Sequence, residues 1–472
     1  MTRSFRTRAP ILHLPNELPV KIFTETLAPN HGDSKRYWHR IIRLSLVSKH
    51  WNGIIHGTPS LWAQISSAYS VRENRAVILK SKDCPLLVYY SDGDLYGWDR
   101  VVFFDFVSQL AHRWRSAEFR PDSRGTISLL HSFVSVLVPN LEELKVGCSE
   151  LREHPSMEEM INIFDGRADR LRHIDLRDFP LPWDSGILSR LETLKISRSR
   201  SWFGPSTSEI TDILRRCPKL RTFGLHYSEP HVVGAVPSEA EAVYLPALTS
   251  FSLNLSHASA FRQIISSVRV PACIDFRLVC GRLTSSIFPN EADHLTAALL
   301  SAIQATLEIS LKLERSKFTL YNHLGIDISL GPYSPLEDLA WLAEHTAGSA
   351  SWPSTDVEIT CDDTFPFLQV TNLLRKMPSI TKLKLSGDSD QFITHLSYPT
   401  LSNGIHEWFL PNLRELQLES CHAYPVATYR IFLASEPMRL HRVVMAMEVT
   451  LTRYEEFDEE PKSGCASLRA ER

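Results

Sequence analysis

Side chains that could perform chemistry are plentiful in this chain, but they are not grouped. Its eight cysteines include no CxxC pair, and the closest two, Cys273 and Cys280, lack a histidine pattern that would complete a zinc site. The nineteen histidines do not fall at metal-ligand spacing with cysteines or carboxylates. The segment Gly387-Asp388-Ser389-Asp390 begins like a cation loop but lacks the remaining ligands of a calcium site. We therefore expect no metal centre and no cofactor.

The signatures of the large enzyme classes are missing from the sequence as well. It contains no Walker A loop, no GxGxxG after a strand, no GxSxG and no HExxH. Paired acids such as Glu142-Glu143 and Glu158-Glu159 occupy contiguous positions, which point to different faces, so they do not form an acid–base pair. The sequence predicts a protein without intrinsic catalysis.

Composition favours a globular interaction protein. Of 472 residues, 43% are hydrophobic and 22% are charged, and the net charge of −3 is too balanced to favour nucleic acid or an anionic membrane as a partner. No run of eighteen apolar residues predicts a transmembrane helix. Scattered cysteines are typical of free thiols in a reducing compartment, so we expect a cytoplasmic and/or nuclear protein.

Apolar anchors near the start of the chain form its clearest pattern. Asn16 can cap a first helix, and apolar residues at helical spacing predict a second helix from about Arg40 to His56, which Gly57 ends. These helices carry more apolar side chains than so short a segment can bury by itself, which favours a partner that covers them. The anchors are Leu14-Pro15, Ile22-Phe23, Val47-Ser48-Lys49, Trp51 and Pro59-Ser60-Leu61-Trp62.

Written as LPxELxxxIF, LxxVSKxW and PxLW, these anchors resemble the F-box, a short helical module that docks on the Skp adaptor of cullin–RING ubiquitin ligases. The resemblance implies a three-helix module over residues 11–66, preceded by a flexible N-terminus over residues 1–10. It also implies a Skp-type adaptor, and through it a cullin, as partners. The residues that it assigns to adaptor binding are Leu14, Pro15, Leu18, Ile22, Phe23, Leu44, Val47, Trp51, Leu61 and Trp62.

Another interpretation of this segment stays open. Apolar stripes of this width are also typical of ordinary core helices that pack on the rest of a chain. The polar stretch from Ala28 to His39 is longer than the connection between the first two helices of a minimal F-box. A loop there is tolerable thermodynamically, but it leaves the geometry of the adaptor face open.

One short phrase, LxxLxL, returns throughout the rest of the chain. It is typical of leucine-rich repeats, in which each copy is a short strand whose alternate residues point inward. Helix-like segments such as Ser206–Cys217 and Ala258–Val268 lie between copies. Clear copies begin at Leu141, Leu171, Leu191, Leu220, Leu248, Ile380 and Leu413, and weaker ones lie at 114–119, 273–278, 309–313, 357–359 and 440–445.

The predicted fold class is therefore α/β: an N-terminal three-helix F-box followed by an irregular leucine-rich-repeat solenoid over residues 67–454, with strands concave and helices convex. Between Leu253 and Ile380 the copies are degenerate, and their register stays open. A mixed α/β domain of unrelated strand–helix units is the alternative, because any buried strand can spell LxxLxL. The acid-rich start of the segment 455–472 predicts a disordered tail.

The order of these elements is similar to that of the large F-box family of mushroom-forming fungi, in which an F-box with a PxLW end precedes an RW phrase and irregular leucine-rich units. His112-Arg113-Trp114 fits the second element. The resemblance implies a non-catalytic substrate receptor of an SCF-type E3 ubiquitin ligase, whose repeat domain binds a protein substrate. The alternative is a leucine-rich-repeat scaffold or binding protein that is not engaged in a ligase.

Outward residues beside the inward leucines would face a substrate if the strands form a concave sheet. They are chemically mixed and form no stripe of one sign, which fits a protein epitope better than a polyanion. A plain solvated strand face is the alternative for each of them. The candidates are Lys145, His173, Asp175, Arg177, Lys195, Lys382, Lys384, Glu415 and Gln417.

Overall fold

A computed structural model of the chain shows N-terminal helices followed by one large sheet. It describes residues 15–27, 34–95, 97–122, 124–133, 135–148, 162–179, 181–198, 204–227, 242–282, 294–314, 317–322, 325–330, 353–361, 367–377, 379–387, 392, 400–402, 405–407, 410, 412–419 and 442–446. Leu14, the segments 1–10 and 455–472, and Asp388 to Asp390 of the cation-like loop lie outside these residues.

Within the residues just given, three helices and a 3-10 turn at Pro59–Trp62 precede the sheet, and further helices alternate with its strands. The helices are α1 (Glu17–Leu27), α2 (Ser34–Ser45), α3 (Lys49–Gly57), α4 (Val71–Ser81), α5 (Arg100–Ser108), α6 (Arg124–Leu129), α7 (Thr207–Arg216), α8 (Ala258–Ser266), α9 (His294–Gln304) and α10 (Phe367–Arg375).

The strands follow one another along the chain at short intervals. They are β1 (Gln64–Ser66), β2 (Leu86–Ser91), β3 (Trp114–Arg120), β4 (Glu143–Gly147), β5 (His173–Arg177), β6 (Thr193–Arg198), β7 (Thr222–Tyr227), β8 (Val243–Tyr244), β9 (Ser250–His257), β10 (Val268–Arg269), β11 (Asp275–Arg282), β12 (Glu308–Glu314), β13 (Lys317–Tyr321), β14 (Ile326–Leu330), β15 (Ser354–Cys361), β16 (Ile380–Gly387), β17 (Thr400–Ser402), β18 (Ile405–Glu407), β19 (Glu415–Glu419) and β20 (Arg442–Ala446).

Most of these strands join a single, mainly parallel sheet. Among the described residues it has sixteen strands in the order β1-β2-β3-β4-β5-β6-β7-β9-β11-β14-β13-β12-β15-β16-β19-β20. β8 pairs with β10 in parallel, and β17 pairs with β18 in antiparallel fashion, each pair outside the large sheet.

The LxxLxL phrase predicted twelve of these strands correctly. Each of the seven clear copies contains a strand, and the weaker copies became β3, β11, β12, β15 and β20. In β4 the side chains of Leu144 and Val146 are buried, whereas those of Glu143 and Lys145 are half-buried on the opposite face. Because side chains alternate between the faces of a strand, the phrase separates an apolar interior from a polar face.

The degenerate middle of the chain contains a reversal that the sequence did not indicate. β12, β13 and β14 form an antiparallel meander, and β14 lies beside β11 while β12 lies beside β15. Two additional strands are thus inserted between β11 and β12, and the parallel sheet continues on either side of them. We call the three antiparallel strands β12, β13 and β14 the seam.

The prediction of a single second helix from Arg40 to His56 is wrong. α2 ends at Ser45, and α3 begins at Lys49 after a short turn. Ser48 caps α3, because its hydroxyl accepts from the backbone N–H of Trp51 at 3.1 Å. The expected polar insertion from Ala28 to His39 is also shorter than predicted, because α2 begins at Ser34.

Aromatic side chains join the N-terminal helices to the first strands. Trp38 of α2 contacts both Trp62 and Tyr69, with ring centroids 5.6 and 5.7 Å apart. Lys80 of α4 places its ammonium 3.7 Å from the centroid of the Trp62 ring. The indole N–H of Trp62 donates to the carbonyl of Ile55 at 2.8 Å, so Trp62 belongs to both units. These contacts tie the helical module to the start of the sheet.

We expect Asn74→Ala to lower the free energy of unfolding by about 2–3 kcal/mol. Asn74 is fully buried, and its amide donates to the carbonyl of Ser66 at 2.8 Å and accepts from the N–H of Ser66 at 3.1 Å. Alanine would leave both backbone groups of β1 without this partner. Urea denaturation measures the change, and Arg75→Ala, at the exposed neighbouring position, should stay within about 0.5 kcal/mol of wild type. Equal losses in both variants would contradict this role.

Candidate functional site

The N-terminal module has an interior of its own. Among the described residues its hydrophobic core consists of Phe23, Leu27, Ile41, Ile54, Ile55, Leu61 and Trp62. Three of them, Phe23, Leu61 and Trp62, were expected to contact an adaptor, but they are 3%, 2% and 1% exposed. In this structure they hold the module together and present no surface to a partner. Phe23 packs edge-on against the half-buried Trp51, with ring centroids 4.9 Å apart.

A second set of apolar side chains points away from that interior. Leu18 and Ile22, one helical turn apart on α1, are 47% and 48% exposed, and Leu46 and Val47 in the turn before α3 are 77% and 61% exposed. Exposed apolar side chains that recur in one small unit are typical of surfaces that another protein covers. We use the name apolar face for this set of four exposed side chains, two on α1 and two in the turn before α3.

The other described residues that were expected to contact the adaptor differ in their exposure. Pro15 is exposed and Leu44 is half-buried. Leu46, the most exposed member of the apolar face, was missed by the sequence analysis because it falls inside the helix that was expected to continue through it. A shallow groove of about 450 Å³ runs between Asn16 and Val20 on one side and Lys49, His50 and Gly53 of α3 on the other.

The polar face of the sheet gathers the predicted substrate residues into two groups. Lys145, His173, Asp175, Arg177 and Lys195 lie on the adjacent strands β4, β5 and β6. The second group, Lys382, Lys384, Glu415 and Gln417, lies on the adjacent strands β16 and β19. Seven strands separate the groups, roughly 40 Å along the sheet at the usual strand spacing. A partner would have to be large to contact both.

Three charges of the first group, those of Lys145, Asp175 and Arg177, are paired within the sheet. Arg177 donates to the carboxylate of Asp175 through two nitrogens, at 3.3 and 3.2 Å, which raises the pKa of the guanidinium. Lys145 lies 2.7 Å from Glu143. Burial opposes ionisation of Glu143, but hydrogen bonds from Lys145 and Ser116 outweigh it and lower the pKa of this carboxyl.

A hollow of about 620 Å³ lies above this first group. Its walls include Arg120 and Arg177 on either side of Gly147, whose missing side chain leaves the space open. Arg120 is itself bound to Glu118 at 2.6 Å. Glu118 and Arg120 were not predicted, because β3 matched the repeat phrase only weakly.

The second group is an alternating network of charges. Lys382 pairs with Asp356 at 3.2 Å, and Glu358 lies 3.5 Å from both Lys384 and Lys312. A small hollow of about 180 Å³ lies among these side chains. Asp356 and Glu358 of β15 were not among the predicted substrate residues, because this copy of the phrase is one of the weak ones.

Residue types capable of chemistry stay dispersed in the folded chain. In the part of the chain that the structure describes, no three histidine, cysteine or acidic side chains are placed to hold a metal ion. Burial raises the pKa of the Cys148 and Cys273 thiols to about 12, which makes them poor nucleophiles. No helix among the described residues is long and apolar enough to cross a membrane.

Comparison with known proteins identifies the helical module. A family model described as F-box-like matches residues 11–68. The chain thus carries an F-box-like domain at α1 to α3, which supports its being an F-box protein. Domains of this kind are typically non-catalytic and generally bind Skp-type adaptors in SCF complexes. A search of curated proteins found no match to the chain.

Two adjacent residues test the division of the module into interior and face. Phe23→Ala should lower the free energy of unfolding by about 3–5 kcal/mol, because it empties a buried aromatic site. Ile22→Ala, one residue earlier and half exposed, should cost about 1 kcal/mol or less. Urea denaturation followed by tryptophan fluorescence measures both. Similar losses at the two positions would show that the module packs differently.

Proposed function

We propose that the chain is the substrate-receptor subunit of an SCF-type cullin–RING E3 ubiquitin ligase. The F-box-like domain binds a Skp-type adaptor and, through it, a cullin. The sheet that follows is an irregular leucine-rich-repeat solenoid with strands concave and helices convex, and its polar face binds a protein substrate. Catalysis comes from other subunits, and this chain contributes proximity in the cytoplasm and/or nucleus.

The apolar face is the observation that carries the adaptor half of the proposal. The module already encloses its own core, so Leu18, Ile22, Leu46 and Val47 are not needed inside it. Leaving them in water has a cost that a protein partner would remove. The groove between α1 and α3 offers a concave surface near the start of the same helix.

The substrate half rests on the mixed charge of the sheet face. Positive and negative side chains alternate at one register across β3 to β6, as Glu118, Lys145, Asp175 and Lys195. Such a pattern gives a long polyanion no continuous row of cations and offers complementary pairs to a folded protein or peptide. A leucine-rich-repeat scaffold that binds partners without a ligase is the second candidate, since the sheet face alone supports it equally well.

Charge placed on the apolar face should abolish adaptor binding. In a pull-down from cells, the full chain with Ile22→Glu and Val47→Glu should lose the Skp-type adaptor and the cullin together. Burying either carboxylate at an interface costs more than truncating a contact there, itself about 2 kcal/mol or thirtyfold in Kd. Leu79→Glu is the matched control, because Leu79 is 80% exposed on α4, outside the module. Adaptor capture by the double variant would refute the proposed surface, and its absence from wild type would favour the scaffold.

The free chain should be poorly soluble, and co-expression of the adaptor should rescue it. The physical reason is that the apolar face lacks cover when the adaptor is absent. Ile22→Ser with Val47→Ser should raise the soluble fraction of the free chain and remove the benefit of co-expression. Sedimentation of lysates measures both effects. Full solubility of the wild-type chain alone, unchanged by the adaptor, would count against the proposal.

A further inference from the structure

The middle of the polar face differs from its two ends in how its charges are matched. Lys195, Gly224, Ser252 and Arg277 follow one another at one register across β6, β7, β9 and β11. The two cations therefore stand at the ends of a row whose centre carries only small residues. From β6 to β11 the row spans roughly 14 Å at the usual strand spacing.

Gly224 brings the first cation toward the centre of this row. A Cβ atom at Gly224 would lie 3.4 Å from Cγ of Lys195, so the lysine stem lies against the backbone of β7. Within the described residues Lys195 makes no ion pair, unlike Lys145, Lys312 and Lys382 on the same face. Its charge is available to a ligand.

Arg277 at the other end is only weakly matched. Its side chain is 66% exposed, its Nε lies 4.0 Å from a carboxylate oxygen of Asp275, and Asp327 of β14 stands beside it at the same register. The other oxygen of Asp275 accepts a hydrogen bond from Ser250 at 2.7 Å. The carboxylate of Asp275 is thus held by β9 and lies at the limit of ion-pair distance from the guanidinium.

The pKa of His226 is sensitive to the charges of these two cations. Its Nε2 lies 3.2 Å from Oγ of Ser252, so the ring sits beside the row. Partial burial lowers the pKa of His226, and the charges of Lys195, Arg177 and Arg277 lower it further, while Asp175 offsets only part of this effect. The surroundings of the ring are positive on balance.

We propose that Lys195, His226 and Arg277 form a basic site that binds an anionic group of the substrate, either a carboxylate or a phosphate. The inference rests on the proposed receptor function and narrows its substrate to a protein with a short acidic or phosphorylated segment. The carboxylates of Asp175, beside Lys195 at the same register, and of Asp327, beside Arg277 on β14, confine the positive region. A stretch of about four extended residues fits this width.

Peptide binding to the full chain, copurified with adaptor where needed, tests the site. The probes are a peptide with four consecutive glutamates, its phosphoserine counterpart and its glutamine counterpart, each followed by fluorescence anisotropy. We expect saturable binding of an anionic peptide and none of the glutamine peptide. Tighter binding of the phosphoserine peptide identifies phosphate as the ligand, and tighter binding of the glutamate peptide identifies carboxylate.

Matched lysine variants separate this site from general charge. Lys195→Gln with Arg277→Gln should weaken binding about tenfold, since each exposed charge pair contributes up to about fivefold. Lys312→Gln on the same face should change it less than about twofold, because Lys312 is already paired with Glu314 and Glu358 and is not a predicted substrate contact. The pKa of His226, followed by NMR of labelled histidine, should rise when the probe binds.

Two results would overturn the basic site: no saturable binding of either anionic peptide, or equal weakening by Lys312→Gln and the double variant. The proposed ligase role fails separately. Loss of adaptor capture by the wild-type chain with peptide binding intact would remove the ligase role and leave the basic site standing. The Lys195 and Arg277 variants should capture adaptor as wild type does, since neither residue lies in the helical module.

Discussion

Each strand of the sheet can bury its alternate side chains only if its neighbour lies in the matching register. Leu144 stands beside Ile174, and Val146 stands beside Leu176, so the interior is built of continuous apolar rows. Phe223 and Phe251 meet in the same way, with ring centroids 5.8 Å apart. A slip of one residue would send a whole strand's apolar set into water. The charged rows of the opposite face depend on the same pairing, because their spacing follows from it.

The sequence predicted the individual strands well where the apolar alternation was strong. Seven clear copies of the phrase predicted seven strands, because one face of each strand is buried and its alternate residues are therefore apolar. The F-box-like domain was found from residue identities rather than periodicity. The sequence did not show which apolar residues of this domain are buried and which are exposed. Phe23 and Ile22 are adjacent, and only packing shows which one is enclosed. The turn before α3 was missed because Leu46 and Val47 continue an apolar pattern, and the cap at Ser48 is a single hydroxyl.

The reversal of strand direction at the seam could not be predicted from the sequence, for a different reason. Alternation predicts that a segment is a strand, but it does not say which strand lies beside it. β13 and β14 were not predicted, because neither strand contains the LxxLxL phrase. The basic site was missed on similar grounds: Lys195 was selected from its own strand, but Gly224 and Arg277 join it only through the register of four strands. Cross-strand neighbours are a property of the fold.

Paired charges on the sheet face contribute little to its stability, because exposed ion pairs are worth only tenths of a kcal/mol to about 1 kcal/mol. Their arrangement instead limits what can approach. Where Arg177 is held by Asp175, an incoming carboxylate gains little, and where Lys195 is unmatched it gains more. A face of constant architecture can thus differ in selectivity from one strand to the next.

The seam also bears on how the chain is made. Every strand from β1 to β11 finds its described partners among residues before 283, apart from the later contact of β14 with β11. A growing polypeptide can therefore complete this first block while its C-terminal third is still being synthesised, since domains fold largely as their residues emerge. Until β14 arrives, the outer edge of β11 stays without its later neighbour. Synthesis of the chain from its N-terminus thus lets the strands up to β11 form their hydrogen bonds before the strands from β12 onward.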